Sequence, residues 1–204
     1  MSKFCYVGKV QSVFNLLEIL RNEDAGPIIR RFFINTLFDS TFMLLGIIVG
    51  AAFVADANIR IVIVTMVTSS LALSISTGVS VYEAESLEQE RKITRLEMTM
   101  LTDLTDTVID KTSKSITRLA MVINFLTPIL SCTITILPFV LVVLEILEIY
   151  IASWLSVAFA LSILFGAGVY LGRIGKQNPW IKGLRMTAFG VIAFIIGFLL
   201  DFLI

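Results

Sequence analysis

The sequence predicts an all-α integral membrane protein with five transmembrane helices and a cytoplasmic helical extension between the second and the third. Three observations predict it. The first is composition: of 204 residues, 57% are hydrophobic and 16% charged, and mean hydropathy is +0.92. A soluble domain is about a quarter charged and no more than half apolar. The second is that five stretches reach the ~20 apolar residues a bilayer core requires. The third is that the basic residues cluster in alternate connections between those stretches, the pattern that sets membrane orientation.

Residues 1–27 form the first element. Val10, Val13, Phe14, Leu17 and Leu20 recur at helical spacing, which predicts an amphipathic helix. It lies on the inner membrane surface or packs against the protein's own inner face. Residues 28–204 are the membrane domain, with spans at about 32–55, 61–82, 119–144, 150–171 and 186–204. Only Asp39 in the first span and Asp201 in the last are charged, and the third span holds Pro128 and Pro138. In lipid each span must be helical, because nothing else satisfies its backbone. Between the second and third spans, residues 83–118 form an acidic module. Its first half has no Pro or Gly, so the second span is expected to continue as one helix to about Met98. A turn over 99–103 and a second helix from near Thr102 follow.

Arg60 is the sole basic residue on one side, whereas the other fifteen lie before the first span, between the second and third, or between the fourth and fifth. The N-terminus is therefore expected in the cytoplasm and the C-terminus outside.

Composition also excludes functions. Net charge is zero and there is no His. No global field attracts nucleic acid, and His-based acid–base chemistry or zinc ligation is absent. Cys5 and Cys132 are too few for a disulfide framework. No nucleophile–base pair or phosphate loop stands out, so an enzyme is not expected. No cofactor is expected either.

Asp39 carries the most information. It lies eight residues beyond Arg31, roughly 12 Å into the membrane at 1.5 Å per residue. An intramembrane carboxylate is costly and marks a functional site by default. Asn35, Asp39, Met43, Gly46 and Gly50 share its helix face. Gly46 and Gly50 make a GxxxG that admits a neighbouring helix. Met43 is either a soft ligand on a path or lipid-facing filler. On the second span, Thr65, Ser69, Ala72, Ser76, Ser80 and Glu83 fall on one face. They either line an ion path or bond to neighbouring helices. Asn124, Thr127, Ser131 and Thr135 make a similar line on the third span, where helix-to-helix bonding is the preferred reading.

In the acidic module, Glu83, Glu90 and Glu97 repeat every seven residues with no basic residue four positions on. Met98 and Met100 follow. Carboxylates with thioether sulfur suit a borderline divalent metal, and the same row also suits a dimer seam. Glu85 and Glu88 fall with Lys92 and Arg95 on what reads as a solvated, ion-paired face.

Four stretches resemble the vacuolar iron transporter (VIT) family in its short prokaryotic form. They are Arg30 to Ser40 continuing to Leu45–Ala51, Ile75–Gly78 through Glu83–Arg91 to Leu96–Leu101, Leu137-Pro138-Phe139, and Gly183-Leu184-Arg185-Met186. The resemblance implies a homodimer of five-span protomers in a prokaryotic cell membrane. It implies export of Fe²⁺ or Mn²⁺ from the cytoplasm by proton antiport, with the metal as transported ion. Asp39, Met43, Asn35, Ser76 and Glu83 would then form the path. Asp39, Glu83, Glu90, Glu97, Met98 and Met100 would hold metal. The chain departs from the family at Ile75 and Val79, where Met and Glu are frequent. That motivates two alternatives: another solute on the same fold, or a non-transporting scaffold or sensor acting through the cytoplasmic helices.

Overall fold

The computed structural model describes residues 25–53, 58–102 and 107–203, and all regular structure among them is helical. Five helices follow in order: α1 Ala25–Ala52, α2 Ile59–Met100, α3 Val108–Val143, α4 Ile149–Ile174 and α5 Pro179–Leu203. Each is long and apolar enough to cross a membrane. The expected helix within residues 1–27 lies almost wholly outside the described residues.

The helix ends follow local chemistry. Pro27 sits in the first turn of α1 and Pro179 opens α5, where a missing N–H costs nothing. Pro179 also starts α5 some seven residues ahead of the expected apolar span, so Lys182 and Arg185 lie in its first two turns. Asn58 caps α2: its Oδ1 accepts from Arg60 N at 3.0 Å, and its carbonyl accepts from Ile61 and Val62 N–H. As expected, α2 runs on unbroken past its apolar half. At 42 residues it spans ~63 Å, about twice a hydrocarbon core. It stops where Leu101 turns left-handed at φ 52°. α3 begins at Val108, later than the sequence suggests, with the Thr107 carbonyl accepting from Lys111 N–H. α3 and α4 end in Schellman-type turns, Ile146 N–H bonding Leu141 O and Gln177 N–H bonding Gly172 O. Glu145 and Lys176 occupy the left-handed positions of these turns.

The chain forms two compact units. Among the described residues, one comprises 25–33, 77–102 and 107–124. Here the distal part of α2 packs against the first half of α3. Ile29, Val81, Ile116 and Ala120 are buried together, with Phe32, Leu119 and Ile123 against them. Pro128 leaves the Asn124 carbonyl without its helical donor, and the Thr77 hydroxyl bonds that carbonyl at 3.4 Å.

The other unit comprises residues 34–76 and 125–204. Its core joins Leu44, Leu45, Ile48, Val62, Met66, Phe139, Ala160 and Leu164. Its helices are also linked by polar contacts. The Ser40 and Ser131 hydroxyls are 3.1 Å apart, Thr135 Oγ1 donates to Ser131 O at 2.9 Å, and Ser156 Oγ donates to Thr135 O at 2.6 Å. Glycines let α4 and α5 approach at backbone distance. A Cβ at Gly168 would lie 2.8 Å from Gly183 Cα, and one at Gly172 would lie 2.6 Å from Pro179 Cα. At another point of this unit Phe53 meets Tyr150, Trp154, Phe194 and Phe198 edge-on. Aromatic rings of this kind favour the level of the lipid headgroups.

Candidate ion-binding faces

The first candidate lies on α1. Asn35 and Asp39 are exposed, and Asn35 Nδ2 donates to Asp39 Oδ2 at 3.4 Å. One helical turn separates them, so the amide steadies the carboxylate without neutralising it. Gly46 and Gly50 continue the face. Both are exposed, and a Cβ added at either meets nothing within 4 Å. Met43 is half-buried and packs against the core cluster, so it flanks the face rather than standing on it. On this face of α1 a carboxylate, an amide and two glycines are all exposed.

Ser76 is exposed on α2 in the same unit, whereas Thr65 and Ser69, earlier on the stripe, are half-buried. The polar line of α3 turns inward instead. Asn124, Thr127, Ser131 and Thr135 are all buried. Asn124 Nδ2 bonds Ala120 O at 2.8 Å, and the two hydroxyls at 131 and 135 join the packing network. Asn124 and Thr135 thus bond carbonyls of their own helix, and Ser131 bonds Ser40 of α1.

The second candidate lies on the distal part of α2. Glu83 and Glu90 are exposed and share a shallow groove with Ser80, Ala84, Ser86 and Leu87. Glu97, two heptads on from Glu83, is half-buried. Met98 and Met100 are strongly exposed at the helix end. Of the expected site residues, Asn35, Asp39, Met43 and Ser76 belong to one compact unit, and Glu83, Glu90, Glu97, Met98 and Met100 to the other. Among the described residues no three acidic or cysteine side chains converge closely enough to hold a metal ion. The acids at 103 and 106 lie outside the described residues.

Glu85 departs from expectation. The sequence places it on a solvated, ion-paired face, but it is only 3% exposed. Gln89 Nε2 donates to Glu85 Oε1 at 2.6 Å, and Gln89 Oε1 accepts from Ser113 Oγ at 2.8 Å. The reason is the helix pairing. Val81, Glu85 and Gln89 stand one turn apart and form the seam against α3, so α3 covers the carboxylate. The signal was available in Ser113, Thr117 and Ala120, a row of small residues on α3 that fits such a seam.

The fold and these faces define a class: a multi-pass helical protein of five membrane-length helices with acidic and amide groups on its outer surface. No protein-family model matches the chain, and no solved structure matches it. The chain is 25% identical over 174 residues to the uncharacterized protein MJ0645 of Methanocaldococcus jannaschii, covering 84% of this chain and 87% of that protein.

Proposed function

We propose that this protein is a VIT-like exporter of divalent metal, Fe²⁺ or Mn²⁺, working as a homodimer by proton antiport. The observation that carries the reading is the α1 face. Asp39 is exposed on a helix apolar enough to cross a membrane and bonds the Asn35 amide. A carboxylate left against lipid costs about 3 kcal/mol even on the lenient insertion scale, so this face requires a cover. Gly46 and Gly50 have nothing over them and allow another helix to approach closely. A second copy related by a twofold axis brings the same face and a second Asp39. Two facing carboxylates make a site suited to a divalent cation.

In this reading the distal part of α2 lies in the cytoplasm, as the fifteen-to-one distribution of basic residues supports. Glu83, Glu90 and Glu97 with Met98 and Met100 then gather the ion before it enters the membrane path through Ser76, Asn35, Asp39 and Met43. The resemblance in four stretches supports the same assignment.

The test is Fe²⁺ and Mn²⁺ flux into proteoliposomes, with wild type beside Asp39→Asn, with and without a proton gradient. Flux that needs Asp39 and follows the gradient is the expected result. Absence of flux from folded, dimeric wild type overturns the reading. A scaffold role is then favoured by the exposed Leu96, Met98, Met100 and Leu101 at the end of α2, which a partner would cover.

A further inference from the structure

We infer that the cleft between α2 and α3 is a binding site for a phosphate-bearing anion, of which the headgroup of an anionic lipid is the form its position favours. The cleft lies within one compact unit and has a volume of about 230 Å³, well above the ~15 Å³ that a single water needs by the same measure. Lys114 and Arg118 stand one turn apart on α3 and line it, with Tyr82 and Ser86 opposite on α2. An ammonium, a guanidinium, a phenol and an alcohol thus border one space, a donor set suited to a tetrahedral oxyanion. Behind them the seam is already satisfied. Ser113 Oγ donates to Gln89 and Thr117 Oγ1 donates to Ser113 O at 3.2 Å, which holds the wall in place.

Position argues for lipid. α2 carries no charge from Ile61 to Tyr82, and its acids begin at Glu83. α3 carries none from Leu119 to Leu144, and Arg118 is the first charge before that stretch. Val81 packs with Ile116 and Ala120, so Tyr82 and Arg118 stand at one level, where the apolar stretches of both helices end. Headgroup phosphates lie at this level, and basic pockets between membrane helices hold them. Glu90 also lines the cleft, and its charge opposes an anion. Lys114 and Arg118 outnumber it in the lining. The inference stands apart from the transport reading and survives its failure.

The experiment uses the full chain in a neutral detergent. Phosphatidylglycerol, phosphatidylcholine and inorganic phosphate are each titrated and read by native mass spectrometry and by the shift in Tm. The expected result is one retained phosphatidylglycerol per chain. Affinity falls about fivefold for each of Lys114→Gln and Arg118→Gln, as for the loss of one basic residue near a lipid surface. Arg118→Lys keeps most of it, and Glu90→Gln tightens it. Wild-type helix content and elution volume show that each variant is folded. Inorganic phosphate binding with the same dependence, and no lipid retained, identifies a free phosphate as the ligand of the same site. Retention of none of the three, or binding that ignores all four variants, overturns the inference.

Discussion

The interior and the outer faces of this molecule use the same residue types for opposite purposes. Ser131 on α3 points inward and takes the Ser40 hydroxyl, and the Thr135 carbonyl beside it takes the Ser156 hydroxyl, while Asn35 and Asp39 on α1 are exposed and bond each other. Gly168 and Gly172 are pressed against the backbone of α5, while Gly46 and Gly50 face open space. Glu85 is buried under α3, while Glu90, five residues on, is exposed. Each inward member completes a contact with another helix, and each outward member is exposed. Polar and small residues in apolar helices therefore carry no meaning until their direction is known. The outward set is where the proposed second copy, ion or lipid would act.

Four experiments break or sharpen this contrast. The largest effect is expected at Asp39. On the proposed transport reading, Asp39→Asn should reduce metal flux in proteoliposomes to background while elution volume and thermal stability stay at wild type, because Asp39 is exposed and its bonding partner is an exposed amide. Loss of the fold instead of the flux would place Asp39 with the inward set. The glycines come next. Gly172→Ala should destabilise by about 3 kcal/mol, the upper part of the overpacking range, because its new Cβ meets backbone that cannot yield. Gly46→Ala should leave the protomer's stability unchanged and weaken the dimer. Denaturant unfolding and chemical cross-linking read the two effects separately.

The acids give the third test. Glu85→Ala should cost about 2 kcal/mol by stranding the Gln89 amide in the seam. Glu90→Ala should cost nearly nothing in stability, since exposed polar groups contribute little when removed, but should weaken Mn²⁺ binding measured by calorimetry. Equal losses of stability at both positions would erase the distinction. The smallest effect belongs to Ser131→Ala, at about 0.6 kcal/mol, typical of a hydrogen bond between membrane helices. Its metal flux should remain at wild type, which sets α3 apart from α1.

Much of the architecture was legible because the rules for lipid are strict. Five charge-poor stretches became five helices, and the continuation of α2 to Met100 followed from the absence of Pro and Gly beyond Glu83. The start of α3 was less legible, since residues 102–107 carry turn-forming and helix-forming types together. On the site, the shared face of Asn35, Asp39, Gly46 and Gly50 was readable from spacing alone. The burial of Glu85 was not. Spacing on one helix gives a face but not its neighbour, so Glu85 and Glu88 looked alike beside Lys92 and Arg95.

By itself the sequence determined which segments are helical, how long they are and which residues share a side, because these depend on local backbone chemistry and on the three- and four-residue repeat. Which sides turn inward was settled by the packing of one helix on another. That choice set Thr77 on the carbonyl freed by Pro128, Glu85 under α3 and Gly172 against Pro179, and it left Asp39 facing out. Direction depends on the partner helix across the seam, and that partner is distant in sequence and invisible to any local pattern.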